Sequence, residues 1–275
     1  MPKISILTIT TRNLFLAEQA KWLKRQTFKD FEWIIVDDLC VDHSTVVKEA
    51  IGDDFRYLHI QPPVITPIFE PGKAENYGIV HCHGELVYFL ADYIMPAENC
   101  LERHWEIHQQ YPKSIISGLQ IEVNFPPAQL EAHKSFGLTG EDPRMGFYHS
   151  GMFHLQKIDD SLFETDKFAA QNWWGGRNDS APLETLLDCN GFDEDFDGGH
   201  GFHDDDLANR MMIHGATYLI DTKSIVYRFL HQRSNKEKTR SKEVQIELRD
   251  KKRLENWTKG NYRANPHRDL RKERE

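Results

Sequence analysis

The sequence predicts an α/β fold with a mostly parallel central sheet flanked by helices. Three observations carry that expectation. Short apolar runs without polar alternation, Ile4–Thr8, Trp33–Val36 and Leu86–Leu90, have the pattern of strands covered on both faces. Segments of helical period separate them, which makes strand–helix–strand units and hence parallel neighbours. The last two runs lead into acids, Asp37-Asp38 and Asp92, and ligands of open α/β sheets bind beyond the carboxyl ends of the strands.

The elements follow in order. Ile4–Thr8 runs into a polar loop at Thr10, Thr11 and Arg12. A helix over 14–25 has apolar positions at Leu14, Leu16, Ala17, Ala20 and Leu23. After Trp33–Val36 come a helix, Ser44–Ile51, and a strand, Phe55–Ile60. Pro62, Pro63, Pro67 and Pro71 predict an irregular loop, and Ala74–His83 a helix stopped by Gly84. Leu86–Leu90 is a strand, 98–110 a helix and Ser114–Val123 a strand. Residues 124–172 show no clear period beyond a strand near Gly146–Leu155. Pro182–Cys189 reads as a helix, Tyr218–Ile220 and Ser224–Phe229 as two late strands. One compact domain over 1–235 is expected, with a basic helical extension over 236–275.

Composition narrows the class. The 275 residues are 39% hydrophobic and 28% charged, an ordinary globular balance. No run of about 18 apolar residues predicts a transmembrane helix, and the N-terminus reads as a strand rather than a signal peptide. Cys40, Cys82, Cys100 and Cys189 lack CxxC spacing and read as free thiols. A cytoplasmic protein, at most peripheral at a membrane, is expected. The net charge of −9 argues against a nucleic-acid-binding body. Lys and Arg cluster beyond residue 232, as a solvated helix face with a frayed tail or as a contact for an anionic surface.

The densest chemistry lies between Asn190 and Arg210. A glycine- and acid-rich turn runs into Asp204-Asp205-Asp206, which open a helical pattern. Adjacent carboxylates repel, so they point to a cation, a positive helix end or a proton transfer. His104 and His108 have i,i+4 spacing but no third ligand, and read as packing residues.

Three fragments in order carry a resemblance. Gln26–Asp38 is similar to "QTYxDFEIIVVDDGS". Ala74-Glu75-Asn76-Tyr77-Gly78-Ile79 with Gly84–Leu90 resembles "ARNxGI…GEYIxFLDxD". Gly191–Glu194 with Gly201–Leu207 resembles "GFDExFxGWGxEDxDL". From Ile4 to about His231 the chain resembles GT-A glycosyltransferases of the family 2 type, with a galactosyltransferase-like motif in the C-terminal half.

The resemblance implies a nucleotide-sugar half over about 1–120 and an acceptor half over 121–235. It implies an inverting transferase using a nucleotide diphosphate sugar, UDP favoured. Asp37 and Asp38 would bind the nucleobase, with Thr8, Arg12 and Asn76 also on the donor side. Asp92 falls where paired carboxylates hold Mn²⁺ or Mg²⁺ against the diphosphate, although Leu90 and Ala91 leave a single acid there. His231 is a second candidate ligand. Asp204 aligns with the general base, preceded by His203 where the pattern has Glu. Trp173 and Trp174 are candidate sugar platforms or a core pair, and Gly176 and Asp205 join them on the acceptor side. The acceptor (glycan, lipid, protein or modified DNA base) stays open. The alternative is a GT-A domain without turnover, binding nucleotide sugars or glycans.

Overall fold

The computed structural model describes residues 1–11, 15–39, 43–124, 129, 155–165, 174–199, 201–231 and 234–274. The N-terminal half alternates as expected. Strand β1 (Ile4–Thr10), helix α1 (Leu16–Lys24), β2 (Phe31–Asp37), α2 (Ser44–Ile51), β3 (Arg56–Ile60), α3 (Pro71–Val80) and β4 (Leu86–Phe89) follow one another. Pro71 sits in the first turn of α3, where a missing N–H costs nothing, so the helix starts earlier than its apolar period implied. Next come β5 (Ile94–Pro96), α4 (Cys100–Gln110) and β6 (Ser114–Val123).

The later half adds β7 (Leu155–Lys157), β8 (Leu162–Thr165), β9 (Asp179–Pro182), α5 (Leu183–Asp188), α6 (His203–Ile213), β10 (Thr217–Phe229), α7 (Lys242–Lys259) and α8 (Leu270–Glu273). The described residues form one ten-stranded mixed sheet ordered β3-β2-β1-β4-β9-β6-β10-β8-β7, with β5 paired to β10. Strands β3, β2, β1 and β4 are parallel, while β9 inserts antiparallel between β4 and β6. Strand β9 is four residues of Asp-Ser-Ala-Pro, too short and polar to show a period. The two expected late strands are one, with a register shift between Asp221 and Ile225. The strand expected near Gly146–Leu155 lies outside the described residues apart from Leu155.

Both faces of the parallel half are covered. Ile4, Ile6, Trp33, Ile35 and Tyr88 pack with α1, α2 and α4. Leu7, Ile34, Val36, Val87 and Phe89 pack with α3, α5 and α6. Alternate residues of each strand therefore face opposite helical layers, which explains the unbroken apolar runs. Gly78 brings α3 onto the sheet: a Cβ there would meet a Leu7 methyl at 2.3 Å. Cys82, Cys100 and Cys189 are free and buried.

The basic C-terminal segment keeps a largely exposed helix face on α7 but docks onto the domain instead of fraying. Leu270 is buried in the main core. The Asn190 amide donates to the carbonyls of Ala264, Asn265 and Arg268. Lys252 pairs with Asp193 (2.5 Å) and Asp195 (2.6 Å), Arg268 with Glu194, and Arg271 with Glu184 and Asp188. Lys252 and Arg268 thus neutralise acids of the turn, and Arg271 acids of α5. No helix among the described residues is long and apolar enough to cross a membrane.

Candidate active site

The chain leaves β1 for β2 and β3 on one side, then returns to place β4 on the other. Register pairs Thr10 with Asp37 and Leu7 with Phe89, so these strands end at the same edge of the sheet. A cleft of about 270 Å³ opens at this switch point, lined by Ile9 and Thr11, by Asp38, and by Leu90, Ala91 and Tyr93. Its far wall is Glu75 of α3, Gly175–Arg177 ahead of β9, and Gly201, His203 and Asp204 at the start of α6. A larger recess, about 800 Å³, lies between α7 and residues 261–268. Its walls include the Lys252 and Arg268 ion pairs, and no strand of the sheet ends there, so the smaller cleft is the candidate site.

Side chains of α3 and α6 bolt the acid-rich turn into place. Asn76 donates to Phe192 O (2.9 Å) and Glu194 Oε1 (2.9 Å), and accepts from Phe192 N at 2.8 Å. Gly191, at φ +68, permits this: a Cβ would fall 2.1 Å from Asn76 Oδ1. Asp197 accepts from the first-turn amides of Gly72 (2.8 Å) and Lys73 (3.1 Å). Burial still pushes the Asp197 carboxyl up to about 7. Phe202 enters α6 at φ +76, in the left-handed region. Such a conformation costs roughly 1–3 kcal/mol, and strained residues of this kind cluster at functional sites. Arg249 lies over its ring at 4.7 Å.

The three aspartates have three different environments. Asp204 lines the cleft, and its Oδ1 accepts the Asp205 amide at 3.0 Å. Asp205, expected on the acceptor side, lies instead in a small recess with Asn209, Arg249 and Arg253. Burial, then the charge of Asp204, pushes its carboxyl up to about 8. Asp206 is buried against Arg210 at 2.6 Å, and Arg210 also donates to the carbonyls of Cys189 and Gly191. Asp206 therefore serves the fold and Asp204 faces the cleft. Glu75 stands on the same wall, its Oε2 3.4 Å from His203 Nε2. Burial, then the charges of Asp204 and Asp197, hold its carboxyl well above the usual range.

At the strand ends, Asp37 is fully buried. Its Oδ2 meets His43 Nδ1 (2.8 Å) and His59 Nε2 (3.1 Å), while Oδ1 has no hydrogen-bond partner among the described residues. Asp38 pairs with Lys236 at 2.5 Å, and both side chains are about nine-tenths buried. Burial raises the Asp38 carboxyl and Lys236 opposes that rise. Lys236 arrives on an extended segment in which Glu237 bridges to Ile68 and Thr239 N donates to Gly198 O.

Asp92 is 2% exposed and its Oδ2 accepts from Thr10 Oγ1 at 2.9 Å. His231 stacks on Tyr93, centroids 3.7 Å apart, and its Nδ1 lies 3.1 Å from Phe229 O. No group of three His, Cys, Asp or Glu side chains able to hold a metal occurs among the described residues. Asp92 thus supplies a single carboxylate at the end of β4, where a hard divalent cation favours several oxygens.

Other expected site residues are placed as follows. Thr8 is buried and accepts from Trp33 Nε1 at 2.9 Å, so Thr11 rather than Thr8 meets the cleft. The Asn76 amide is engaged as a clamp and does not line the cleft. Trp174 is 2% exposed and packs edge-on against Phe89 and Tyr218, a core role. Gly176 lines the cleft. Arg12 and Trp173 lie outside the described residues. His104 is a buried packing residue, 2.7 Å from Ser180 Oγ, with burial lowering its pKa to about 4. Sequence reasoning missed Glu75, whose signal was an acid where the motif has arginine, and Lys236, hidden in a basic run.

No protein-family model matches the chain, and no curated protein does. Solved structures do match. The structure of S. aureus TarS 1-349 in complex with UDP-GlcNAc superposes with a TM-score of 0.67 at 14% identity, over 90% of this chain and 64% of that one. The complex of TarS 1-349 with UDP gives 0.62 at 15% identity, over 83% and 60%. The chain thus spans under two thirds of the length of these neighbours. The likeness is one of fold. It adds that a protein of this fold holds a nucleotide sugar.

Proposed function

We propose that the chain is an inverting glycosyltransferase that moves a sugar from a nucleotide diphosphate sugar, a UDP-sugar by preference, to an acceptor hydroxyl. The observation that carries this reading is the position of Asp204. It lines one cleft with the ends of β1, β2 and β4, the last two leading into acids, in the fold of TarS bound to UDP-GlcNAc. The nucleobase lies towards Asp37 and Asp38. Asp38 lines the cleft at that end, and Asp37 lies buried behind it.

The transfer is a single displacement. Asp204 removes the acceptor proton as the hydroxyl oxygen attacks the anomeric carbon. The bond from that carbon to the diphosphate oxygen breaks with its electron pair, and the nucleoside diphosphate leaves. The Arg177 guanidinium lines the cleft and Lys236 offsets Asp38, so positive charge near the leaving group comes from the chain itself. General-base catalysis of this kind contributes about 10²–10⁴-fold.

The test is release of UDP from a panel of UDP-sugars, with and without sugar acceptors. Turnover that falls by about two to four orders of magnitude in Asp204→Asn, with donor affinity kept, is the expected result. Tight donor binding without turnover on any acceptor favours the binding-module reading, which the sparse donor set at Asp92 motivates.

A further inference from the structure

Glu75 has one carboxyl oxygen that no hydrogen bond among the described residues satisfies. It sits on α3 between Ala74, which packs in the core, and Asn76, which clamps the acid-rich turn. Those neighbours fix the direction of its side chain without using it. The side chain is 13% exposed and lines the cleft with His203 and Asp204. Its Oε2 is shielded and has no hydrogen-bond partner among the described residues. His203 Nε2 lies 3.4 Å from that oxygen, without hydrogen-bond alignment. Oε1 faces Gly176, at 3.8 Å from where a Cβ would stand.

A buried carboxyl group with an unsatisfied oxygen costs free energy, so one that lines a cleft points to a ligand group that hydrogen-bonds it. The charges around it narrow the ligand. Asp204 and Asp197 both face Glu75, which already makes this wall acidic. A phosphate would be repelled there. A neutral hydroxyl would not be, and it can both donate to and accept from a carboxyl group. The resembled motif has an arginine at this position, so the chain has reversed the charge at one point of the site.

We propose that the Glu75 carboxyl group, beside His203 and Asp204, contacts a hydroxyl of the transferred sugar. The inference rests on the sugar-transfer reading. In that reading the ring carrying the anomeric carbon must lie within reach of the attacking oxygen that Asp204 deprotonates. A group beside Asp204 in the same cleft then meets the donor's sugar rather than its nucleotide.

Calorimetry on the full chain separates the two. UDP is titrated beside the tightest binder among UDP-GlcNAc, UDP-glucose and UDP-galactose, for the parent, Glu75→Gln and Glu75→Ala, with circular dichroism as the folding check. The expected result is unchanged UDP affinity in all three. The preference for UDP-sugar over UDP falls about ten-fold in Glu75→Ala and is largely kept in Glu75→Gln, whose amide still hydrogen-bonds. An unchanged preference in folded Glu75→Ala overturns the proposal and leaves the transfer reading standing. Binding of neither UDP nor any UDP-sugar by the parent chain refutes the transfer reading, and the proposal with it.

Discussion

Replacing Asn76 with Ala tests whether the acid-rich turn is held by α3. Three hydrogen bonds of 2.8–2.9 Å would be lost. Two of the partners keep other contacts: Phe192 O also accepts from Asn265, and Glu194 also pairs with Arg268. Each of those losses is worth about 1 kcal/mol. The Phe192 amide is different, because it would be left buried without a partner, at about 1–3 kcal/mol. The sum is roughly 3–5 kcal/mol, which lowers Tm by about 10 °C in a chain of this size. Urea denaturation followed by circular dichroism gives the free energy, and a thermal scan the Tm. A loss below about 1 kcal/mol with an unchanged m-value would refute the clamp.

Two further expectations concern charge. Asp205 has its folded pKa raised to about 8 by burial, above its unfolded value near 3.9. The folded state therefore holds an extra proton between these values, and this group's contribution to stability falls as pH rises from about 4 through 8. Asp205→Asn should flatten the stability–pH curve across that window and be relatively more stable above pH 8. Denaturant titrations at several pH values check it, and a parallel offset at every pH contradicts it. For the metal, calorimetric titration with Mn²⁺ alone should show no micromolar binding, since Asp92 offers one buried carboxylate. Tight uptake abolished by Asp92→Ala would mean that Asp92 belongs to a built metal site.

The fold was largely legible because its parallel half announces itself. Trp33–Val36 and Leu86–Leu90 have both faces covered, so each reads as an unbroken apolar run. What failed to show was structure made by long-range pairing. Strand β9 is held by β4 and β6 rather than by its own pattern, and the join of the late strands depends on the pairing of β10 with β6.

The site was legible to the level of motifs and not of side-chain direction. The triple aspartate stood out, but only tertiary contacts separate Asp204 from Asp205, beside Arg249 and Arg253, and Asp206, against Arg210. Thr8 and Trp174 belong to motif neighbourhoods yet point into the core, which chain position alone does not reveal. Lys236 reaches Asp38 across nearly two hundred residues, beyond any local pattern.

The central claim is that the cleft holds a nucleotide sugar between Asp38 and Asp204. A crystal structure of Asp204→Asn with a bound UDP-sugar tests it most directly. The expected result is the uracil at Asp37 and Asp38 and the anomeric carbon turned towards position 204, with Glu75 on a sugar hydroxyl. A nucleotide bound elsewhere, such as in the recess beside α7, or a sugar turned away from position 204, would contradict it.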